Sequence, residues 1–327
     1  MRAIARRLRS IPAVLLAAVL LTLLAPIWMA LSAALDLGRG RRRLPTARLL
    51  AFAWCWTWLE LAGVTAAAGL WLTGRRRDLG AHYRLQRWWA ARLMGALRAT
   101  TGLRVEAAQS ADLQPGPAIL LCRHASLADS LVSAWVVTSL AGMNPRYVLK
   151  RELLFDPCLD VVGNRLPNYF LDRGAADSRA ELEALRMLAA GLTDDQVAVI
   201  FPEGTRATPP KRARALAKIA ERDPQRAERL APLGHLLPPR PAGSAALLDG
   251  CPDADVVVAW HVGFDGWDNF GAILRRLADR PRPVEFHTRR IPRAEVPSGA
   301  AFAAWLDAQW LQVDHDVHQL LTPQGTP

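Results

Sequence analysis

Cysteine is scarce in this 327-residue chain: Cys55, Cys122, Cys158 and Cys251 stand apart, with no C-x-x-C among them. That excludes a disulfide framework and a zinc ribbon, and it suits a reducing compartment. Lysine is scarcer still. Only Lys150, Lys211 and Lys218 stand among 41 basic residues, an arginine bias from which no function follows. Neither H-E-x-x-H nor G-x-S-x-G occurs, so the chain has no zincin helix and no nucleophile elbow. Charged residues make up only 22% against 51% hydrophobic, which excludes wholesale disorder. The length allows one large domain or two modest ones, with a full core.

What is abundant is positive charge, and its placement matters. The formal net charge is +11, of which residues 1–80 carry +9, from 12 arginines and three acids (Asp36, Glu60 and Asp78). The remaining 247 residues net only +2, which disfavours a nucleic-acid partner.

Long hydrophobic runs occupy the same basic quarter. Residues 11–35 contain no ionisable group, and as a helix they span about 37 Å, enough for a hydrocarbon core of about 30 Å. Pro26 predicts a kink. A second run, Leu49–Leu72, is interrupted by Glu60, which would cost about 2.5–3.5 kcal/mol facing lipid. Residues 1–80 therefore read as a membrane module of two hydrophobic helices with arginine-rich flanks, and 81–327 as the second unit. Nearly equal positive flanks leave a two-span hairpin and a re-entrant pair both open. Anionic lipids are the expected partners, and the membrane is the expected location. A bacterial inner membrane, with the second unit on the cytoplasmic side, fits the positive-inside count.

From residue 81 the pattern is an amphipathic helix over Ala81–Thr100, closed by Gly102, followed by strands alternating with helices. The runs 118–122, 197–201 and 256–260 are continuously apolar, as in a sheet covered on both faces. The pattern predicts further strand-like segments at 147–149 and 169–171. Helices are expected over 127–140, over 178–190 with a Ser178-x-x-Glu181 box, and over 300–321. The expected fold class is α/β, a mixed sheet covered by helices, preceded by the two hydrophobic helices.

Three islands offer chemistry. His124 follows the first strand, where reacting groups gather in open α/β sheets. Asp129, five residues on, would fall on a different face of a continuous helix. The two can meet if His124 lies in a loop and Asp129 in the first turn, a boundary that Ser126-x-x-Asp129 supports with Ser126 as N-cap. Asp129 would then fix the tautomer of His124 and leave its other nitrogen free as a general base. The second island, Phe201-Pro202-Glu203-Gly204-Thr205-Arg206, combines a glycine, a hydroxyl and a guanidinium suited to phosphate. Glu203 would orient Arg206 or a substrate hydroxyl. The third places Arg173 at a strand end, where it could join Arg206 in clamping one phosphate. A lone histidine satisfied in the fold, and a tight turn with a surface arginine, are the plainer readings of these islands. Cys122, in a strand, reads as a buried hydrophobe. The basic stretch 207–235 reads either as a solvated helix or as a face for lipid or an acidic carrier protein.

In this order and spacing the islands resemble the PlsC-type glycerophospholipid acyltransferases, the lysophosphatidic acid acyltransferase family. The family's His-x-x-x-x-Asp is matched by His124 and Asp129, its aromatic-aliphatic-x-Arg by Phe170-Leu171-Asp172-Arg173, and its F-P-E-G-T-R by residues 201–206 in full. Lys150 stands where the family has a lysine before the second motif, and 237–243 is similar to its P-R-x-x-G segment. The resemblance implies a glycerol-phosphate acyltransferase-like fold and a direct transfer of a fatty acyl group from acyl-CoA or acyl-carrier protein. The acceptor would be a lysophospholipid hydroxyl, 1-acyl-glycerol-3-phosphate by default, giving phosphatidic acid. It implies His124 and Asp129 as the catalytic pair, with Lys150, Arg173, Glu203, Gly204, Thr205 and Arg206 binding substrate. No metal and no cofactor beyond the acyl donor would be needed.

The sequence departs from the pattern in three places. Arg123 replaces the usual Asn, Pro157-Cys158-Leu159-Asp160 lacks a small Gly, and the prolines that normally flank the fourth strand are missing around Val256–His261. A lipid-binding protein without turnover, and a membrane-bound hydrolase, are the competing readings.

Overall fold

The computed structural model describes residues 2–107, 110–172, 178–267, 269–279 and 282–322. The N-terminal quarter folds as α1 (Arg2–Leu23), α2 (Ala25–Gly38) and α3 (Pro45–Leu72). The kink expected at Pro26 is a break at Leu24 between α1 and α2, whose axes differ by 74°. A proline in the first turn of α2 has no N–H to continue α1, and its ring opposes the preceding carbonyls. Of these helices α3 alone is long and apolar enough to cross a membrane by itself, and the bent α1–α2 pair passes the same test as one unit. Their outer surface is apolar, with Leu16, Leu23, Ile27, Leu31, Trp58 and Trp71 exposed.

The inner surface is fastened to the rest of the chain. The elements that follow are α4 (Leu79–Thr101), β1 (Val105–Glu106), β2 (Ala118–Cys122), α5 (Asp129–Trp135), β3 (Asn144–Lys150), α6 (Pro157–Val161), β4 (Tyr169–Leu171) and α7 (Ser178–Ala189). Glu60, at the middle of α3, is buried, and its Oε2 accepts the Cys158 N–H at 2.9 Å, at the start of α6. Arg6 of α1 grips the buried Asp160 of α6 with two bonds, Nη2 to Oδ1 at 2.7 Å and Nε to Oδ2 at 3.0 Å, and Arg7 adds three more, to both carboxylate oxygens (3.2 and 3.3 Å) and to the carbonyl (3.1 Å). Asp36 accepts from the N–H and hydroxyl of Thr46 and so closes the turn into α3.

The chain is completed by β5 (Gln196–Ile200), α8 (Pro209–Ala220), α9 (Pro224–Leu230), α10 (Pro241–Gly250), β6 (Asp255–Val262), α11 (Phe270–Ala278), β7 (Val284–Ile291) and α12 (Ala301–Leu321). Among the described residues seven strands form one sheet in the order β1-β7-β6-β2-β5-β3-β4. Pairing is parallel everywhere except between β6 and β7, so the sheet is mixed and helix-covered, an α/β fold. The continuous apolar runs have a direct cause. Ile119 and Leu121 of β2 face one core with α7, α10 and α12, while Ala118, Leu120 and Cys122 face a second with α4, α5 and α11. β7 escapes the sequence pattern because it is edge-like and half polar, with Glu285, His287 and Arg289 alternating with buried Val284 and Phe286. The helix expected over 127–140 is α5 followed by a π-helical turn over Val136–Leu140.

Candidate active site

Because β2, β3, β4 and β5 run parallel, their carboxyl ends share one edge of the sheet. His124 leaves β2, Lys150 ends β3, and residues 201–206 leave β5. Arg173, expected to follow β4, lies outside the described residues.

His124 sits in the loop and Asp129 opens α5, the arrangement the spacing required. The His124 Nδ1 lies 2.8 Å from Asp129 Oδ2. The same oxygen accepts the N–H groups of Ala125 (2.6 Å) and Ser126 (2.8 Å). The Ser126 hydroxyl donates to Asp129 Oδ1. Ser126 is therefore not the N-cap: Ala128 holds that position, and Ser126 serves the carboxylate instead. Asp129 is 2% exposed. Burial alone would raise its pKa, but His261 and His124 beside it outweigh that and hold it well below the usual carboxylate range. Asp129 is thus an anion wherever the protein is folded near neutrality. With Nδ1 committed to Asp129, the free Nε2 of His124 is the nitrogen able to take a proton.

The island at 201–206 folds directly against this loop. The N–H of Ala207 donates to the His124 carbonyl at 2.8 Å, and the Phe201 ring lies 5.0 Å from the imidazole. Glu203 is turned inward and 2% exposed. Its Oε1 accepts the His124 N–H at 2.7 Å and its Oε2 the Leu237 N–H at 2.9 Å, so it ties the base loop to the segment before α10. Burial pushes its carboxyl up to about 8, against the opposing pull of those two N–H groups and of Arg123. Gly204 has φ of +71°, a left-handed conformation, and a Cβ there would stand 3.4 Å from the Arg240 guanidinium. Thr205 and Arg206 are half-buried, and Lys211 Nζ reaches the Thr205 hydroxyl (3.3 Å) and the Arg206 carbonyl (3.1 Å). Lys211 and Arg240 therefore bring two cations to the loop after β5, which itself carries Arg206. Lys211 and Arg240 carried no site role in the sequence reading. Lys150 is half-buried at the end of β3, with the β5 strand between it and β2.

A cavity of about 610 Å³ lies behind the base loop. Leu127, Leu131 and Ala134 line it from the α5 side, Trp89 and Leu93 from α4, and Phe52 from α3, almost all of it apolar. That volume falls in the range of about 300–1,000 Å³ typical of ligand sites.

One neighbour of the pair went unassigned in the sequence. His261, on the adjacent strand β6, places Nε2 3.0 Å from Asp129 Oδ1. Its only sequence signal was a histidine ending an apolar strand.

The sequence profile of the acyltransferase family matches residues 104–242. The crystal structure of the 1-acyl-sn-glycerophosphate (LPA) acyltransferase PlsC from Thermotoga maritima is similar over 96% of this chain and 98% of that one, with 14% identity and a TM-score of 0.44. No curated protein matches. The matched stretch contains His124, Asp129 and residues 201–206 together with the strands that bring them to one sheet edge, and over these residues the chain is similar to the acyltransferase family.

Proposed function

We propose that the protein transfers a fatty acyl group from acyl-CoA or acyl-carrier protein to the free hydroxyl of a lysophospholipid, with 1-acyl-glycerol-3-phosphate as acceptor and phosphatidic acid as product. The observation that carries this is the juxtaposition of the half-buried His124, paired with the buried Asp129, with a cationic loop on one side and an apolar cavity on the other. His124 Nε2 removes the hydroxyl proton as the oxygen attacks the thioester carbonyl. The tetrahedral intermediate then collapses, the C–S bond breaks, and the thiolate leaves and takes the proton back from the imidazolium. Asp129 stabilises that imidazolium, and base assistance of this kind is worth about 10²–10⁴-fold. Gly204, Thr205 and Arg206, together with Lys150 and Arg173, hold the acceptor's phosphate, while the apolar cavity takes the acyl chain. Holding both reactants at near-attack distance supplies the rest of the acceleration.

The N-terminal module is proposed as a re-entrant anchor in an anionic membrane rather than a spanning hairpin. The middle of α3 and the start of α1 both touch α6, which a bilayer between them and the catalytic domain would forbid. The catalytic domain would then face the cytoplasm, with all three arginine clusters on that side.

The test is turnover by the purified protein in detergent, read by mass spectrometry over a panel of lysophospholipids with both donor types. Acylated product that disappears in His124→Ala supports the reading. Release of free fatty acid without acyl transfer, or lipid binding without turnover, refutes it.

A further inference from the structure

The Asp129 carboxylate stands between two imidazoles. Its Oδ2 is saturated by His124 and two backbone N–H groups, whereas Oδ1 has a rotatable hydroxyl, that of Ser126, and the Nε2 of His261 at 3.0 Å. The hydroxyl can turn away; His261 cannot. It lies within β6, in register with β7, and its carbonyl accepts from the Arg123 guanidinium, which is itself paired with Asp265 at 2.6 Å. Its ring meets Phe264 edge-on at 5.5 Å.

His261 is also expensive where it is. The residue is 2% exposed, and among the described residues its Nδ1 has no hydrogen-bond partner. Its Nε2 contact with Asp129 lies off the ideal hydrogen-bond direction. A buried imidazole set 3.0 Å from a buried carboxylate is placed for that carboxylate.

The geometry points to His261 as a positioning residue of the catalytic pair: by holding Oδ1 it fixes the plane of Asp129, and through Asp129 the orientation of His124. It does not touch the reacting atoms. This inference rests on the reading of His124 as the base, and it extends the dyad to a His–Asp–His relay of contacts across β2, α5 and β6.

The experiment compares His261→Asn, whose amide falls short of Asp129, with His261→Gln, whose Nε2 can take the place of the imidazole Nε2. Turnover and KM for acceptor and donor are measured on the full chain, with thermal melting of each variant. Expected are a kcat about 10- to 100-fold lower in His261→Asn, the scale of a misplaced catalytic group, with both KM values unchanged, and recovery in His261→Gln to within about fivefold of wild type. Should His261→Asn fail to fold, His261→Met serves as the donor-free variant. A donor-free variant with wild-type kcat overturns the inference, and so does an equal loss in His261→Gln or a loss confined to KM. Absence of acyl transfer by the wild-type protein refutes instead the acyltransferase reading beneath it. Transfer lost in His124→Ala but untouched by His261 changes leaves that reading intact and removes only the role of His261.

Discussion

Replacing Asp129 by asparagine removes one charge from a carboxylate with four hydrogen bonds and a second imidazole around it. The structure dictates which way the amide turns. The N–H groups of Ala125 and Ser126 and the Nδ1–H of His124 all point at Oδ2, so the amide oxygen must occupy that position. The amide NH2 then faces the Ser126 hydroxyl, which can rotate to accept, and His261 Nε2, which can accept in its other tautomer. The loop geometry and the His124 tautomer survive. What is lost is charge: three bonds of the charged kind, about 1.5–3 kcal/mol each, become neutral ones of about 1 kcal/mol. Stability should fall by about 1.5–6 kcal/mol on that basis, and turnover by about 10²–10⁴-fold. Asp129→Ala should be worse for folding, because it orphans two buried N–H groups at about 1–3 kcal/mol each as well. The assay pairs denaturant unfolding with acyl-transfer rates for both variants. Asp129 also makes the wild type acid-labile. Its folded pKa lies below the unfolded value of about 3.9, so its contribution is present above that value and is lost as pH falls further toward the folded one. The asparagine variant should lack that acid limb. An Asp129→Asn enzyme within about fivefold of wild-type turnover would refute the assigned support for His124, and equal stability of the Asn and Ala variants would refute the hydrogen-bond account.

Glu203 behaves oppositely. Its carboxyl is raised, so it stabilises the folded state at low pH and that contribution fades as pH climbs through about 8; Glu203→Ala should abolish this slope and cost about 2–4 kcal/mol for two orphaned N–H groups, read by unfolding at several pH values. Asp160→Ala removes the carboxylate that Arg6 and Arg7 share, leaving Arg7 only the Asp160 carbonyl, and should cost about 1–3 kcal/mol because both guanidiniums reach solvent, loosening α1 from the catalytic domain as read by limited proteolysis. Ala134→Trp should fill part of the apolar cavity and cut kcat/KM for long acyl donors at least tenfold while sparing short ones, measured over a chain-length series.

Much of this molecule was legible before any coordinates. The apolar runs at 118–122, 197–201 and 256–260 are central strands because both faces of the sheet are covered, and such burial leaves an unbroken signature. The glycines at 102, 142 and 191 end helices in the left-handed conformation, a demand local enough to read residue by residue. His124, Asp129 and the 201–206 island were also visible, since each follows the end of a strand within a few positions. β7 was hidden by its half-polar alternation. The inward turn of Glu203 was hidden too, because it is decided by Leu237, 34 positions away.

The sequence alone thus determined the local elements, the apolar N-terminal helices and the candidate pair His124 and Asp129, all of which depend on neighbours within a turn or a strand. Only the tertiary structure decided what surrounds them. Parallel pairing brought β2 and β6 side by side, so that His261 meets Asp129 across 132 positions of chain. The packing of α3 on α6 likewise turned Glu60 from a charge exposed to lipid into an acceptor for the Cys158 N–H. Contacts of that kind depend on which strands and helices become neighbours, and periodicity along one segment carries no record of its partner.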